Sequence, residues 1–196
     1  MHTPPTIDAV LACIARDHAD GLLDRWSAST VIDENVGEAV VERNVFERIH
    51  EAGGVNARFP VGNAGLVHVY GYLFSTVVTP YGYKSDRWND GVLATALGCP
   101  AEYFRLGDGD ETPLARVLGS AEPLLVDPPA SAHVAEWDAE GARQRAVVMD
   151  GVLVSGVDEG QGMRLLTIFP VADAAAFARD LSAEAPRLRW NAAIAS

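Results

Sequence analysis

Apolar positions change their period midway along this chain. Near the start they recur every three or four residues, at Ile7, Val10, Leu11, Ile14, Leu22 and Trp26. That spacing predicts an amphipathic helix over 6–26. Thr6 suits its N-cap, and Asp8 suits the positive end of the helix. A polar link, 27–30, follows. A second helix is expected over 36–52, with Val40, Val41, Val45, Phe46 and Ile49 as its stripe and Gly53-Gly54 as its stop.

After a Gly/Pro/Asn loop at 55–64 the period becomes two. Val67, Val69, Gly71 and Leu73 fall on one face, and His68, Tyr70, Tyr72 and Phe74 on the other. This predicts a strand, prolonged by the β-branched run 76–79. Thr79-Pro80-Tyr81-Gly82 places proline at the second position of a turn, so a central hairpin is expected. Short helices are expected at 91–97 and 112–119. The second has Thr112 as N-cap, Pro113 in the first turn and Gly119 as stop.

The last third reads as four strands, at 132–137, 143–149, 152–157 and 163–169. Asp150-Gly151 between two apolar runs signals a two-residue hairpin, and 158–162 makes a longer one. The strands therefore form an antiparallel meander. Pro170 ends it. A helix over 173–182 follows, with Phe177 and Leu181 inward, and 187–190 is expected to return as a strand. Together these elements predict a single α+β domain over 1–196. It has a helical part at 6–52 and a mixed β part at 64–196. N-terminal helices and a C-terminal helix are expected to pack on one face of the sheet.

Composition narrows the function classes. Apolar residues make up 48% and charged residues 21%, enough aliphatic content for a substantial core. The formal net charge of −12 opposes binding to nucleic acid. The N-terminus lacks the pattern of a signal peptide, and no apolar run reaches the ~18 residues of a membrane span. A cytoplasmic location is expected. Cys13 and Cys99 lack metal-ligand spacing and read as small core residues. No dinucleotide fingerprint, phosphate loop, Gly-x-Ser-x-Gly or His-Glu-x-x-His occurs. The five histidines are scattered, and Glu47 with His50 is a lone helical pair. No metal and no cofactor is therefore assigned.

Candidate chemistry gathers in one segment. Residues 66–88 hold four of the five tyrosines and Lys84, the only lysine beside fourteen arginines. On a strand, His68, Tyr70 and Tyr72 would project from one face, an imidazole and two phenols fit for proton transfer and for donating to an oxyanion. Lys84 completes the candidate catalytic set, as a charged clamp or a nucleophile of lowered pKa. Arg58, Tyr81, Tyr83, Arg87 and His133 are the candidate substrate-binding residues.

The expected function is a cofactor-independent enzyme acting on a small anionic metabolite by acid–base chemistry, of isomerase, lyase or hydrolase type. The alternative is an acidic, non-enzymatic binding module, either an immunity- or antitoxin-like protein or a small-ligand-binding domain. A homodimer or a basic protein partner fits the second class.

Overall fold

A computed structural model describes residues 5–183 except Asp108 and Glu140. The strand expected at 187–190 lies outside the described residues. The chain opens with helix α1 (Ile7–Ala19), capped by Thr6, whose hydroxyl accepts from the Ala9 amide at 3.4 Å. It stops earlier than its apolar stripe suggests. Gly21 takes a positive φ of 70°, and a 3-10 turn, Leu22–Arg25, carries Leu23 and Trp26 into the core.

Strands β1 (Ala28–Thr30), β2 (Ile32–Asp33) and β3 (Glu38–Ala39) precede helix α2 (Arg43–Ala52). The helix expected from 36 therefore begins at Arg43. Residues 33–37 form a tight turn instead, in which Asp33 accepts from the Asn35 amide and Gly37 has a φ of 73°. Val40 donates its amide to Val31, so these valines fill the core from a hairpin rather than from a helix.

Strand β4 (Val61–Asn63) pairs with β1. The predicted strand over 67–74 is a short helix: a π-helical turn, Leu66–Tyr70, runs into a 3-10 turn, Gly71–Phe74. The alternation misled because every residue from Ala64 to Leu73 is buried, so neither face is polar. Asn63 starts the helix by accepting the Leu66 amide at 3.1 Å. Asn63 three residues before an apolar run was the available N-cap signal.

The hairpin β5 (Val78–Thr79) and β6 (Gly82–Tyr83) follows, turning at Pro80-Tyr81 as expected. Short helices α3 (Asp86–Asn89) and α4 (Val92–Ala96) lead to α5 (Pro113–Val126). Thr112 caps α5 by accepting the Ala115 amide at 3.1 Å. Gly119 does not stop it. Val117, Leu118, Ala121 and Leu125 form one buried stripe, while Gly119 faces outward.

The C-terminal meander matches the sequence closely: β7 (His133–Ala139), β8 (Ala142–Met149), β9 (Val152–Asp158) and β10 (Met163–Pro170), in spatial order β10-β9-β8-β7. Asp150 and Gly151 both take positive φ, the geometry of a type I′ turn. Val147, Val154 and Ile168 face the main core with Leu125 of α5. Ala146, Val148 and Leu153 face the other way, toward Phe177 and Leu181 of helix α6 (Ala174–Ala183). Thus α5 and the N-terminal elements cover one face of the sheet, and α6 covers the opposite one.

The free edge of β10 is covered from the N-terminal side. Ser27 donates its amide to the Leu165 carbonyl at 2.8 Å, and Trp26 bridges to Leu165 in parallel. This contact sets β1, and the helix after β4, against the sheet.

Gly156 sets how closely α5 lies on the sheet. A Cβ there would overlap Leu125 and lie 2.7 Å from the Arg164 carbonyl oxygen, which is backbone and cannot swing aside. Gly156→Ala is expected to lower stability by about 1–3 kcal/mol, read as a lower urea midpoint. A midpoint unchanged within error would show that the α5–sheet spacing is not fixed there.

Candidate functional site

Helical geometry redistributes the residues of the central segment. His68 and Tyr72, one turn apart, share a face, with ring centroids 5.0 Å apart and planes tilted by 34°. Tyr70 points elsewhere: its hydroxyl donates to Asp17 of α1. Thr112 donates to the other oxygen of the same carboxyl. Tyr70 therefore does not stand beside His68 and Tyr72, as a strand would have placed it, and instead joins α1, the central helix and α5. Burial raises the Tyr70 pKa, with the neighbouring Asp17 charge adding to it. Burial also raises that of Asp17, against the opposing bonds from Thr112 and Tyr70.

On the His68–Tyr72 face four elements converge. Ser29 of β1 lies 3.0 Å from His68 Nε2. The His68 Nδ1 atom is buried with no partner within hydrogen-bond geometry, although the Leu166 backbone is near enough to favour a proton on the ring. From α3, the Trp88 indole donates to the His68 carbonyl at 2.7 Å, anchoring α3 to the central helix. Arg87, the preceding residue, stands 5.2 Å from the Tyr72 ring centroid and 5.7 Å from that of Phe169, and its Nη1 donates to Thr167 of β10 at 3.5 Å. Lys84 Nζ stands 5.7 Å from the Tyr72 centroid and pairs with Asp33 of the β2–β3 turn. The Lys84 and Asp33 side chains are 15% and 6% exposed.

Two cations therefore share one phenol ring, with one buried carboxylate between the strands beside them. Their mutual effects are consistent. Burial, then the charges of Arg87 and Lys84, hold His68 well below the usual imidazole pKa, so it is neutral. Burial pushes the Tyr72 phenol up to about 12, Arg87 opposing and Asp33 reinforcing the shift. Lys84 is lowered by burial and by Arg87, against the pull of Asp33. Burial would raise Asp33, but the hydrogen bond and charge of Lys84, with help from Asn35, leave it lowered.

The other expected binding residues lie apart. Tyr81 at the hairpin tip is 81% exposed and Tyr83 is 45% exposed. Arg58 is exposed and makes no hydrogen bond or ion pair with the described residues of the cluster. His133 begins β7, at the opposite sheet edge from β10, roughly 14 Å away across three strand spacings. There its Nε2 meets the Ser182 hydroxyl at 3.1 Å, in an open depression lined also by Ala178 and Arg179. Asp33, Ser29 and Thr167 are the cluster members that sequence reasoning missed. No local signal links Asp33 to Lys84, because two separate hairpins bring them together.

Metal ligation has no support in side-chain grouping: among the described residues no three of His, Cys, Asp and Glu cluster suitably. His50 has both ring nitrogens engaged, by the Phe46 carbonyl at 2.7 Å and the Asn63 amide at 3.0 Å. No helix among the described residues is long and apolar enough to cross a membrane. Comparison with protein-family models, curated proteins and solved structures finds no match for this chain.

Two outcomes follow from this geometry. Burial lowers both His68 and His50, with His50 opposed by its bond to Phe46. The folded state then binds fewer protons than the unfolded chain below the free-histidine value of 6.5. Unfolding takes up protons there, so stability is full above that pH and falls as the pH drops through it. The slope is about 1.4 kcal/mol per pH unit for each histidine. Urea titrations between about pH 7 and pH 5 read it, and His68→Gln is expected to remove one histidine's share. An unchanged slope would mean that His68 titrates normally.

Tyr70→Phe is expected to cost about 1–3 kcal/mol by thermal or urea unfolding. A midpoint unchanged within error would show that the Tyr70–Asp17 bond does not hold these elements together.

Proposed function

We propose that the protein binds a small anionic metabolite against Tyr72 and acts on it by acid–base chemistry without a cofactor. The supporting observation is the pair of cations on one ring: Lys84 and Arg87 at 5.7 and 5.2 Å from the Tyr72 centroid. Asp33 pairs with Lys84 at contact distance, and the Glu34 charge also acts on that lysine. In a chain of net charge −12, Lys84 and Arg87 are two half-buried cations set against one ring. Arg87 offers a planar fork for a carboxylate or phosphate. His68 is neutral and buried, so it can accept a proton from a bound acid or relay one through Ser29. Tyr72, held protonated, donates to a developing oxyanion.

The test is the melting temperature against small carboxylates and inorganic phosphate. Binding should raise it with concentration and weaken as ionic strength rises. Arg87→Gln should reduce affinity by about tenfold or more, the loss of one charge-assisted hydrogen bond. His68→Gln should bind but not turn over. If no carboxylate or phosphate shifts the melting temperature at millimolar concentration, the reading is wrong.

The exposed tip of the β5–β6 hairpin favours a second reading. Val78, Tyr81 and Tyr83 stand out together on an acidic protein, as a contact for a basic protein partner would. Replacing both tyrosines by serine would then abolish a salt-sensitive complex and leave anion binding intact.

A further inference from the structure

We propose that Lys84 is a nucleophile that forms an imine with the carbonyl of a 2-oxo acid, whose carboxylate is held by Arg87. The inference rests on the anion site just described and names its substrate class.

Four observations carry it. First, Lys84 is enclosed rather than a surface lysine: its side chain is 15% exposed, ion-paired with Asp33 and set over Tyr72. Second, a guanidinium stands against the same ring, so one cation can hold the carboxylate while the other meets the adjacent carbonyl. A 2-oxo acid carries these two groups on adjacent carbons, and the Arg87 charge acts directly on Lys84. Third, Asp33 is a proton acceptor already in contact with Nζ, and Asn35 fixes its other side through a 2.9 Å amide bond and a 3.2 Å side-chain bond. Fourth, this chain uses arginine at fourteen of fifteen basic positions. Arginine would serve an ion pair with Asp33 equally well, but a guanidinium does not lose its proton and cannot add to a carbonyl. Burial and the nearby Arg87 charge, which disfavour the ammonium form, act in the same direction.

The step balances within the residues present. The Lys84 ammonium gives one proton to Asp33. The freed nitrogen pair forms the N–C bond as the carbonyl π pair moves to oxygen. That oxygen takes one proton from nitrogen and the one held by Asp33, and leaves as water. Ammonium plus ketone become iminium plus water, with no oxidant or reductant. The iminium withdraws electrons from its neighbouring carbon, and neutral His68 is the base at hand for a proton on that carbon.

The single lysine makes the test unambiguous. The full chain is incubated with pyruvate, treated with borohydride and mapped by peptide mass. The expected result is a reduced pyruvate adduct on the peptide containing Lys84. Lys84→Arg should abolish it while keeping its melting temperature within a few degrees. Arg87→Gln should cut the yield with pyruvate about tenfold more than it cuts the weaker labelling by acetone, which has no carboxylate to hold. Two results would overturn the proposal: no adduct at Lys84 above that on the chain's α-amino group, or equal labelling by acetone and pyruvate. Pyruvate that raises the melting temperature without an adduct would leave the anion site standing and make Lys84 a clamp. Neither a thermal shift nor an adduct would remove both readings.

Discussion

The constraint on which this structure depends is the burial of a ten-residue run, Ala64 to Leu73, on one short helix. A helix buried on every side must satisfy its polar side chains internally, since no face meets water. Three polar groups on it each reach a different neighbour: Tyr70 reaches Asp17, His68 Nε2 reaches Ser29, and the His68 carbonyl receives Trp88. Those three bonds tie α1, β1 and α3 to one axis. Gly65 lets the Trp26 ring lie against that axis; a Cβ there would fall 2.8 Å from the indole. Trp26 in turn is the residue that meets the edge of β10. The N-terminal half and the sheet are thus joined through the helix rather than through one continuous sheet.

The polar cluster is a by-product of this arrangement only in part. Burying His68 neutral is only partly compensated: Nε2 has Ser29, but Nδ1 has no partner in hydrogen-bond geometry, and a buried polar atom left so costs about 1–3 kcal/mol. Burying Lys84 with Asp33 is different. Desolvating both ions offsets most of their mutual attraction, and an apolar pair of similar volume is often as stable or more so. Stability alone therefore gives weak reason for an ion pair in this position. Cation–π contact with Tyr72 recovers about 0.5–2 kcal/mol for each cation, and it does so by fixing both cations at one ring. In the proposed anion site, fixed and partly desolvated cations would lose little further freedom or water on binding, which is the physical meaning of preorganisation.

Legibility in the sequence followed how local each determinant is. The meander was readable to within two residues, because Asp150-Gly151 demands its turn and the flanking strands alternate. The caps at Thr6 and Thr112 were readable because a hydroxyl three residues before its target amide is a local pattern. The central helix was not, because hydrophobic periodicity reports contrast between faces and a fully buried segment has none. That one error carried the misplacement of Tyr70 with it. On a strand, residues 68, 70 and 72 align; on a helix, 68 and 72 align and 70 opposes them. The pairing of Lys84 with Asp33 was invisible for another reason: it depends on how two hairpins meet, which neither hairpin encodes alone. His133 and Arg58 failed to join the cluster for the same cause, since a residue's type says nothing of which sheet edge or loop will face the site.

Lysine and arginine are separable here in a way most chains do not permit. Where both are common, a buried lysine is one draw among many. With fourteen arginines and one lysine, the ordinary tasks of positive charge in this protein are already assigned: Arg25 pairs with Glu122, Arg145 with Glu136, Arg164 with Glu159. Each is a guanidinium–carboxylate pair, which a rigid fork serves well. Asp33 has the same chemistry to offer a guanidinium, yet it meets an amine. The properties that distinguish an amine are a compact head, rotatable protons and a pKa that burial can lower into a useful range. Of these, compactness matters to packing under Tyr72 and the last matters to reaction. A substitution that keeps charge while widening the head therefore separates the two: a role in packing would show as a lowered melting temperature, and a role in reaction as a lost adduct at an unchanged one.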